Sequence, residues 1–192
     1  TWSIKPGKNL LAIEVDAFAL QNAFEINYPE LHKEKSVALI NLGANTTNII
    51  ITKKEKPQLF RDLSIGGSFI TENIRKDLGL SIDEAEKVIK GIPAKDIPPE
   101  QVETVLNTNI ENLLEEIEKT FSFYEAGEGG ERKVEQILLS GGLAKLKDLP
   151  KFFAQKLGIE TEVFNPFRNI YYNEKKLDPV YFQDMASMLD RK

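Results

Sequence analysis

INLGANTTNIII, residues 40–51, is the stretch whose reading decides the fold. An apolar run, VALINL at 37–42, stops at Gly43, passes through Ala44, Asn45, Thr46 and Thr47, and resumes as a second run over 48–52. Two apolar runs joined by a short Gly/Asn/Thr segment predict a β-hairpin, because Gly and Asn accept the positive φ of tight hairpin turns. The hairpin accounts for the shape but not for the crowding of small polar residues. Backbone N–H groups around a concave tip of that kind suit phosphate oxygens.

The totals narrow the function classes. At 192 residues the chain is long for one compact domain and short for two, and a folded chain of that size buries about 70% of its unfolded surface. A composition of 41% hydrophobic and 29% charged residues is that of an ordinary soluble protein. The net charge of -5 disfavours a general nucleic-acid or anionic-membrane binder, both of which use a basic field to attract phosphate. Zero Cys removes disulfides, thiolate catalysis and Cys-based metal sites, and fits a reducing compartment, with the cytoplasm as default. No apolar run approaches the ~20 residues that span a bilayer, and the start, TWSIKPGKN, lacks a signal-peptide apolar core. The single histidine, His32, lies in YPELHKEKS with no second His to make a ligand pair, and reads as a solvated loop residue.

Around the opening stretch the elements are legible. LLAIEV at 10–15 has strand length, and Asp16 then caps a helix through AFALQNAFEI. After the polar loop PELHKEKS come the two strands of the hairpin and a third over about 58–63, an antiparallel meander. The pair Gly66-Gly67 precedes a helix with Phe69, Ile70, Ile74 and Leu78 on one side, stopped by Gly79. A second helix starts at Ser81, carries Asp83 and Glu84 near its positive end, and stops at Gly91. GIPAKDIPPE is a connector, and a helix over about 99–125 follows, with apolar residues at 102, 105, 106, 110, 113, 114, 117, 121 and 124 in the 3.6-residue period of a packed face. The loop EAGEGGERK is exposed and flexible by composition. Then come the buried strand QILLS, the turn Gly141-Gly142, a helix over about 144–157 and a strand TEVF at 161–164. A meander finished by a βαβ crossover makes an α/β fold, a mixed sheet covered by helices.

Two Gly turns hold comparable places, LGANTT after the first sheet strand and SGGLAK after the fourth. Ligands of open α/β sheets bind beyond the carboxyl ends of strands. The first turn suits a β- or γ-phosphate, held by backbone N–H groups and the Thr46 and Thr47 hydroxyls. At the second, Gly141 and Gly142 let a flat ring or ribose approach the backbone, and the following helix N-terminus favours an anion. Either turn alone is more often structural; the pairing is the pattern. Asp62 and Glu72 flank Gly66-Gly67 as an imaginable acid/base carboxylate pair, for which surface roles are commoner. Asn165-Pro166-Phe167 is expected to fix a turn, and Phe121, Phe123 and Tyr124 to pack the core and its rim, with a partner surface there as the alternative.

VALINLGANTTNIIITKKEKPQLFRDLSIGGSFITENI, LSIDEAEKVIKG, EIEKTFSFYEAG and VEQILLSGGLAKLKDLPKFFAQKLGIETEVFNPFRNI, in this order, resemble the actin-like (ribonuclease H-like) superfamily. Within it they resemble the type IV pilus assembly protein PilM family, relatives of the division protein FtsA, over residues 12–185. The resemblance implies that Gly43, Ala44, Asn45, Thr46 and Thr47 are the second phosphate loop, and that residues 140–144, with Gly141, Gly142 and Leu143, are the adenosine motif. It implies that residues 16–24 are the first interdomain connecting helix, and that ATP with Mg²⁺ is the ligand. Gly66, Gly67, Glu86 and Lys90 complete the expected nucleotide-contacting set. Relatives place a ribose- or adenine-contacting Glu and Lys three apart; Glu86 fits the first, Ile89 stands where the Lys would be, and Lys87 or Lys90 is the substitute. A solvated charged face is the alternative reading of that helix. Family ATPases open the phosphate loop with an Asp that orients Mg²⁺ through water; here Asn41 holds that indirect place and Asn48 replaces a second Asp. PilM-like sequences share such Asn residues, which supports the subgroup and weakens a hydrolysis claim.

By the same resemblance, residues 1–27 are a remnant strand of domain I with the connecting helix, and residues 28–192 are actin-like domain II with a helical insert at about 79–127. Residues 1–15 hold no first phosphate loop, and YFQDMASMLDRK stops before the second connecting helix. The implied protein is a cytoplasmic scaffold, at most a weak ATPase, regulated by nucleotide. Its implied partner is the short cytoplasmic N-terminal segment of PilN, docked largely on the N-terminal domain. Recruitment to the inner membrane would run through that partner and other pilus components, with no nucleic acid and no direct membrane insertion. The alternatives are an FtsA-like filament-forming division protein, a nucleotide-free interaction module, and a sugar-kinase-type phosphotransferase, which would need the acidic residue that Asn41 replaces.

Overall fold

Residues 14–94, 97–127 and 133–171 are described in a computed structural model of the chain. The strand expected at 10–15 falls outside these residues except for Glu14 and Val15, which are not in a strand, and the tail YFQDMASMLDRK falls outside entirely. Residues 95–96 of the GIPAKDIPPE connector and 128–132 of EAGEGGERK also lie outside.

The opening stretch becomes β1 (Ser36–Leu42) and β2 (Thr47–Lys53), followed by β3 (Lys56–Leu63), an antiparallel meander. Two later strands, β4 (Gln136–Ser140) and β5 (Glu160–Val163), add in parallel on the other side of β1, giving the order β3-β2-β1-β4-β5. Helices α3 (Gly67–Leu78), α4 (Ile82–Ile89), α5 (Pro99–Glu125) and α6 (Leu149–Leu157) share one hydrophobic core with the sheet. α1 (Asp16–Asn27) and α2 (Pro29–Glu34) belong to a second core with it.

Two cores explain why VALINL and NIII do not alternate with polar residues. Side chains of a strand point alternately to the two faces. Ala38, Ile40, Leu42, Ile49 and Ile51 therefore enter the first core, with Ile117 and Phe153, while Val37, Leu39 and Ile50 enter the second, with Phe24 and Tyr28. A strand covered on both sides reads as a continuous apolar run. Helix α5 has the expected bounds, and its buried residues Ile110, Leu113, Leu114, Ile117, Phe121 and Tyr124 follow the expected stripe, while Phe123 is exposed. α4 begins in a reciprocal capping box between Ser81 and Glu84.

Four local expectations are corrected. The polar loop after α1 is a helix, α2, opened by Pro29 at its first turn, where a missing N–H costs nothing. His32 is accordingly buried, its ring edge-on to Phe24 at 5.5 Å. The helix expected over 144–157 is split into a 3-10 turn, Leu143–Lys145, and α6, because Pro150 inside a continuous helix would delete a hydrogen bond and clash with the preceding turn. Asp16 is the first helical residue, with Val15 at the cap position. Finally, the turn between β1 and β2 uses no positive φ; those values fall instead at Lys54 and Glu55, in the tighter turn between β2 and β3.

Candidate functional site

β1 and β4 run parallel, and Asn41 is paired with Ser140, so the strands end side by side and their two glycine turns meet. The first turn is closed by Gly43 N–H donating to the Thr46 carbonyl at 3.0 Å. Helix α3 is bolted to it: the amides of Gly67 and Ser68 donate to the carbonyls of Gly43 and Ala44 at 2.9 and 2.7 Å. Those of Phe69 and Ile70 donate to the Gly66 carbonyl. The leading amides of α3, the usual anion-binding end of a helix, are thus taken by the protein itself. The amides of Ala44 and Asn45 at the turn tip donate to no backbone acceptor among the described residues.

Two glycines make this junction possible. A Cβ on Gly66 would lie 2.5 Å from the Ala44 carbonyl oxygen. Gly141 has φ +89°, and its Cβ would lie 2.7 Å from Asn41 Oδ1.

Beside the junction opens a cavity of about 750 Å³. Gly43 and Ala44 line it from the first turn, Gly67, Ser68 and Thr71 from α3, and Gly142, Leu143, Lys145, Leu146 and Lys147 from the second turn. Helix α4 contributes Glu86 and Ile89, and Lys90 and Gly91 follow it. Among the sequence-expected site residues, the cavity gathers Gly43, Ala44, Gly67, Glu86, Lys90, Gly142 and Leu143. Asn45 and Thr46 stand exposed at the turn tip. Thr47 is buried and its hydroxyl donates to the Ile65 carbonyl at 2.7 Å, so it is occupied inside the protein. Gly66 and Gly141 lie beneath the turns as spacers rather than in the lining.

Ser68, Thr71, Lys145 and Lys147 escaped sequence reasoning. The two lysines were hidden by reading SGGLAKLK as the start of a helix. Three lysines, Lys90, Lys145 and Lys147, face one carboxylate, Glu86, in the lining of a chain whose net charge is -5. Glu86 and Lys90 pair at 3.8 Å across one helical turn, both more than half exposed.

Asn41 turns away from this cavity. Its amide donates to Asn48 Oδ1 at 3.1 Å, and Asn48 donates to Asp62 Oδ1 at 2.7 Å, a ladder across β1, β2 and β3. The carboxylate pair imagined from sequence is likewise committed elsewhere. Arg75 grips Glu72 through two bonds of 2.8 Å, which holds its carboxyl down to about 2, far too acidic for a general acid near neutral pH. Among the described residues no group of three His, Cys, Asp or Glu is placed to hold a metal ion. The lining combines open backbone at Gly142, where a Cβ would meet nothing within 4 Å, with the side chains of three lysines. Asn41, with its amide spent on Asn48 and its oxygen packed on Gly141, does not fit the magnesium-orienting place expected of it.

A five-stranded mixed sheet covered by helices on both faces, with two glycine turns at neighbouring strand ends, is the fold of the actin-like ATPases. The PilM-PilN type IV pilus biogenesis complex superposes with a TM-score of 0.75 at 21% identity, covering 91% of this chain and 48% of that one. The ethanolamine utilization protein EutJ from Carboxydothermus hydrogenoformans gives 0.56 at 21% identity, covering 76% of this chain and 46% of that one. MreB5 of Spiroplasma citri bound to ADP gives 0.60 at 14% identity, covering 90% and 61%. This chain spans about half the length of the first two. Residues 6–189 match the type IV pilus assembly protein PilM family, and the chain belongs to it. No helix among the described residues is long and apolar enough to cross a membrane.

Proposed function

We propose that this chain is the second domain of a nucleotide-regulated scaffold for type IV pilus assembly, and that the 750 Å³ cavity is its half of an ATP cleft. The observation that carries the reading is the lining itself: a concentration of lysines beside open glycine backbone, in an otherwise acidic chain. A polyanion repelled by the net charge of the chain is attracted by a local group of lysines.

In this reading the amides of Ala44 and Asn45, with the Thr46 hydroxyl, receive phosphate oxygens. Gly142 and Leu143 face the ribose or base, Glu86 accepts from a ribose hydroxyl, and Lys90, Lys145 and Lys147 hold the phosphates. Bound ATP would supply the negative charge that draws two walls together. The second wall belongs to a domain preceding residue 28, consistent with the share of the PilM-PilN structure that this chain covers. The protein acts in the cytoplasm, and a PilN-like N-terminal segment recruits it to the inner membrane. Nucleotide sets domain closure rather than turnover.

Calorimetric titration of ATP into this chain, and into the protein extended by its N-terminal domain, tests the proposal. Tighter binding in the extended protein is expected, weakened in both by Lys147→Glu. Binding in neither would leave a fold kept for contacts alone.

A further inference from the structure

We infer that the phosphates in this cavity are neutralised by lysine side chains and that nucleotide binding here is independent of a divalent cation. The inference rests on the proposed nucleotide site and specifies how its ligand is held.

The argument is one of available oxygens. Magnesium asks for near-octahedral oxygen ligands, normally with one or two carboxylates beside the phosphates. Glu86 is the single carboxylate of the lining, and Lys90 already lies 3.8 Å from it. The nearest carboxylate along the strand ends, Asp62, is separated from the first turn by two neutral amides, and its Oδ1 is taken by Asn48. Asn41, two residues before Gly43, spends its N–H on Asn48, while its oxygen packs on Gly141, where any added carbon would meet it at 2.7 Å. Rotating that oxygen toward a cation would break the hydrogen bond to Asn48 and leave a part-buried amide unpaired.

Positive charge is supplied differently. Lys90, Lys145 and Lys147 are exposed and line the cavity, the first from the residue that follows α4 and the other two from the second turn. Lysine is a compact point charge that binds phosphate without the bidentate geometry arginine needs. Lysines on two sides of a triphosphate do the work that a bridging cation does elsewhere.

The decisive experiment titrates ATP into this chain by calorimetry, at constant ionic strength, once with excess magnesium and once with EDTA. Dissociation constants agreeing within about threefold are expected, together with a loss of about tenfold in both buffers for the double variant Lys90→Glu, Lys147→Glu. Because both positions are exposed, a thermal melt should show that variant folded. Affinity at least tenfold tighter with magnesium, or a double variant that binds like the parent, overturns the inference while leaving the nucleotide site standing. Absence of binding in either buffer overturns the nucleotide site and this inference with it.

Discussion

Gly141 is moulded onto Asn41: its missing side chain leaves room for Asn41 Oδ1, which would otherwise sit 2.7 Å from a Cβ. The contact joins the end of β4 to the end of β1 and sets the spacing between the two glycine turns. Its neighbour Gly142 meets nothing, although both come from the same dipeptide.

Gly141→Ala and Gly142→Ala should therefore separate structure from binding. The first forces a side chain into a positive φ and into a filled space, and is expected to cost about 2–4 kcal/mol. At about 2–4 °C per kcal/mol for a chain of this size, the melting temperature should drop by roughly 5–15 °C. Gly142→Ala should melt within about 2 °C of the parent yet weaken ATP binding, since it lines the cavity. Equal melting curves for the two variants would contradict the contact.

Asn48→Asp places a second carboxylate against Asp62, which Asn48 now bonds at 2.7 Å. Like charges that close raise a carboxyl pKa in the folded state above its unfolded value. A raised folded pKa means stability that is present at low pH and lost as pH rises through that value. Urea melts should show the variant near parental stability at about pH 4 and about 2 kcal/mol less stable at about pH 7.

Glu162 offers the same sign in the unmodified chain. Burial pushes its carboxyl above the usual glutamate value, opposed by Arg168, whose guanidinium lies 3.9 Å away and covers the Tyr28 ring at 4.6 Å. Ionised Glu162 thus disfavours folding as pH rises above the ordinary carboxylate range. Replacing it by Gln should flatten that part of the stability–pH profile, with a gain below about 1 kcal/mol at neutral pH because the side chain is partly solvated. A steeper profile in Glu162→Gln would count against burial as the cause.

Phe153 and Phe24 are fully buried in different cores on opposite faces of the sheet. Each truncated to Ala should cost about 3–5 kcal/mol in denaturant melts. Because they belong to separate clusters, the two losses should add to within about 0.5 kcal/mol. Phe123, 65% exposed at the end of α5, should tolerate Ala with little effect.

Much of this protein was legible from local pattern. The apolar runs of β1 and β2, the stripe and bounds of α5, the capping residue Ser81 and the stop at Gly79 are written in neighbouring residues, because strand and helix periods repeat within a few positions. The pair of glycine turns after the first and fourth strands was legible too, as was the family. Harder to see were α2, whose polar residues mask a helix that buries His32, and the break before Pro150 that turned Lys145 and Lys147 toward the cavity.

Which glycines line the cavity and which only let the turns approach each other was decided only in three dimensions. Gly66, Gly67, Gly141 and Gly142 look alike in the chain; two of them line the cavity and two sit against the backbone of a turn distant in sequence. Thr46 and Thr47 also look alike, yet one is exposed and the other donates inward to Ile65. The sequence by itself determined most of the strands and helices and the residue types available at each turn, since those depend on local sterics and hydrophobic period. Tertiary structure alone decided their roles, because parallel pairing of β1 with β4 brings the turns together, and contact between residues far apart in the chain leaves no mark on the order of their neighbours.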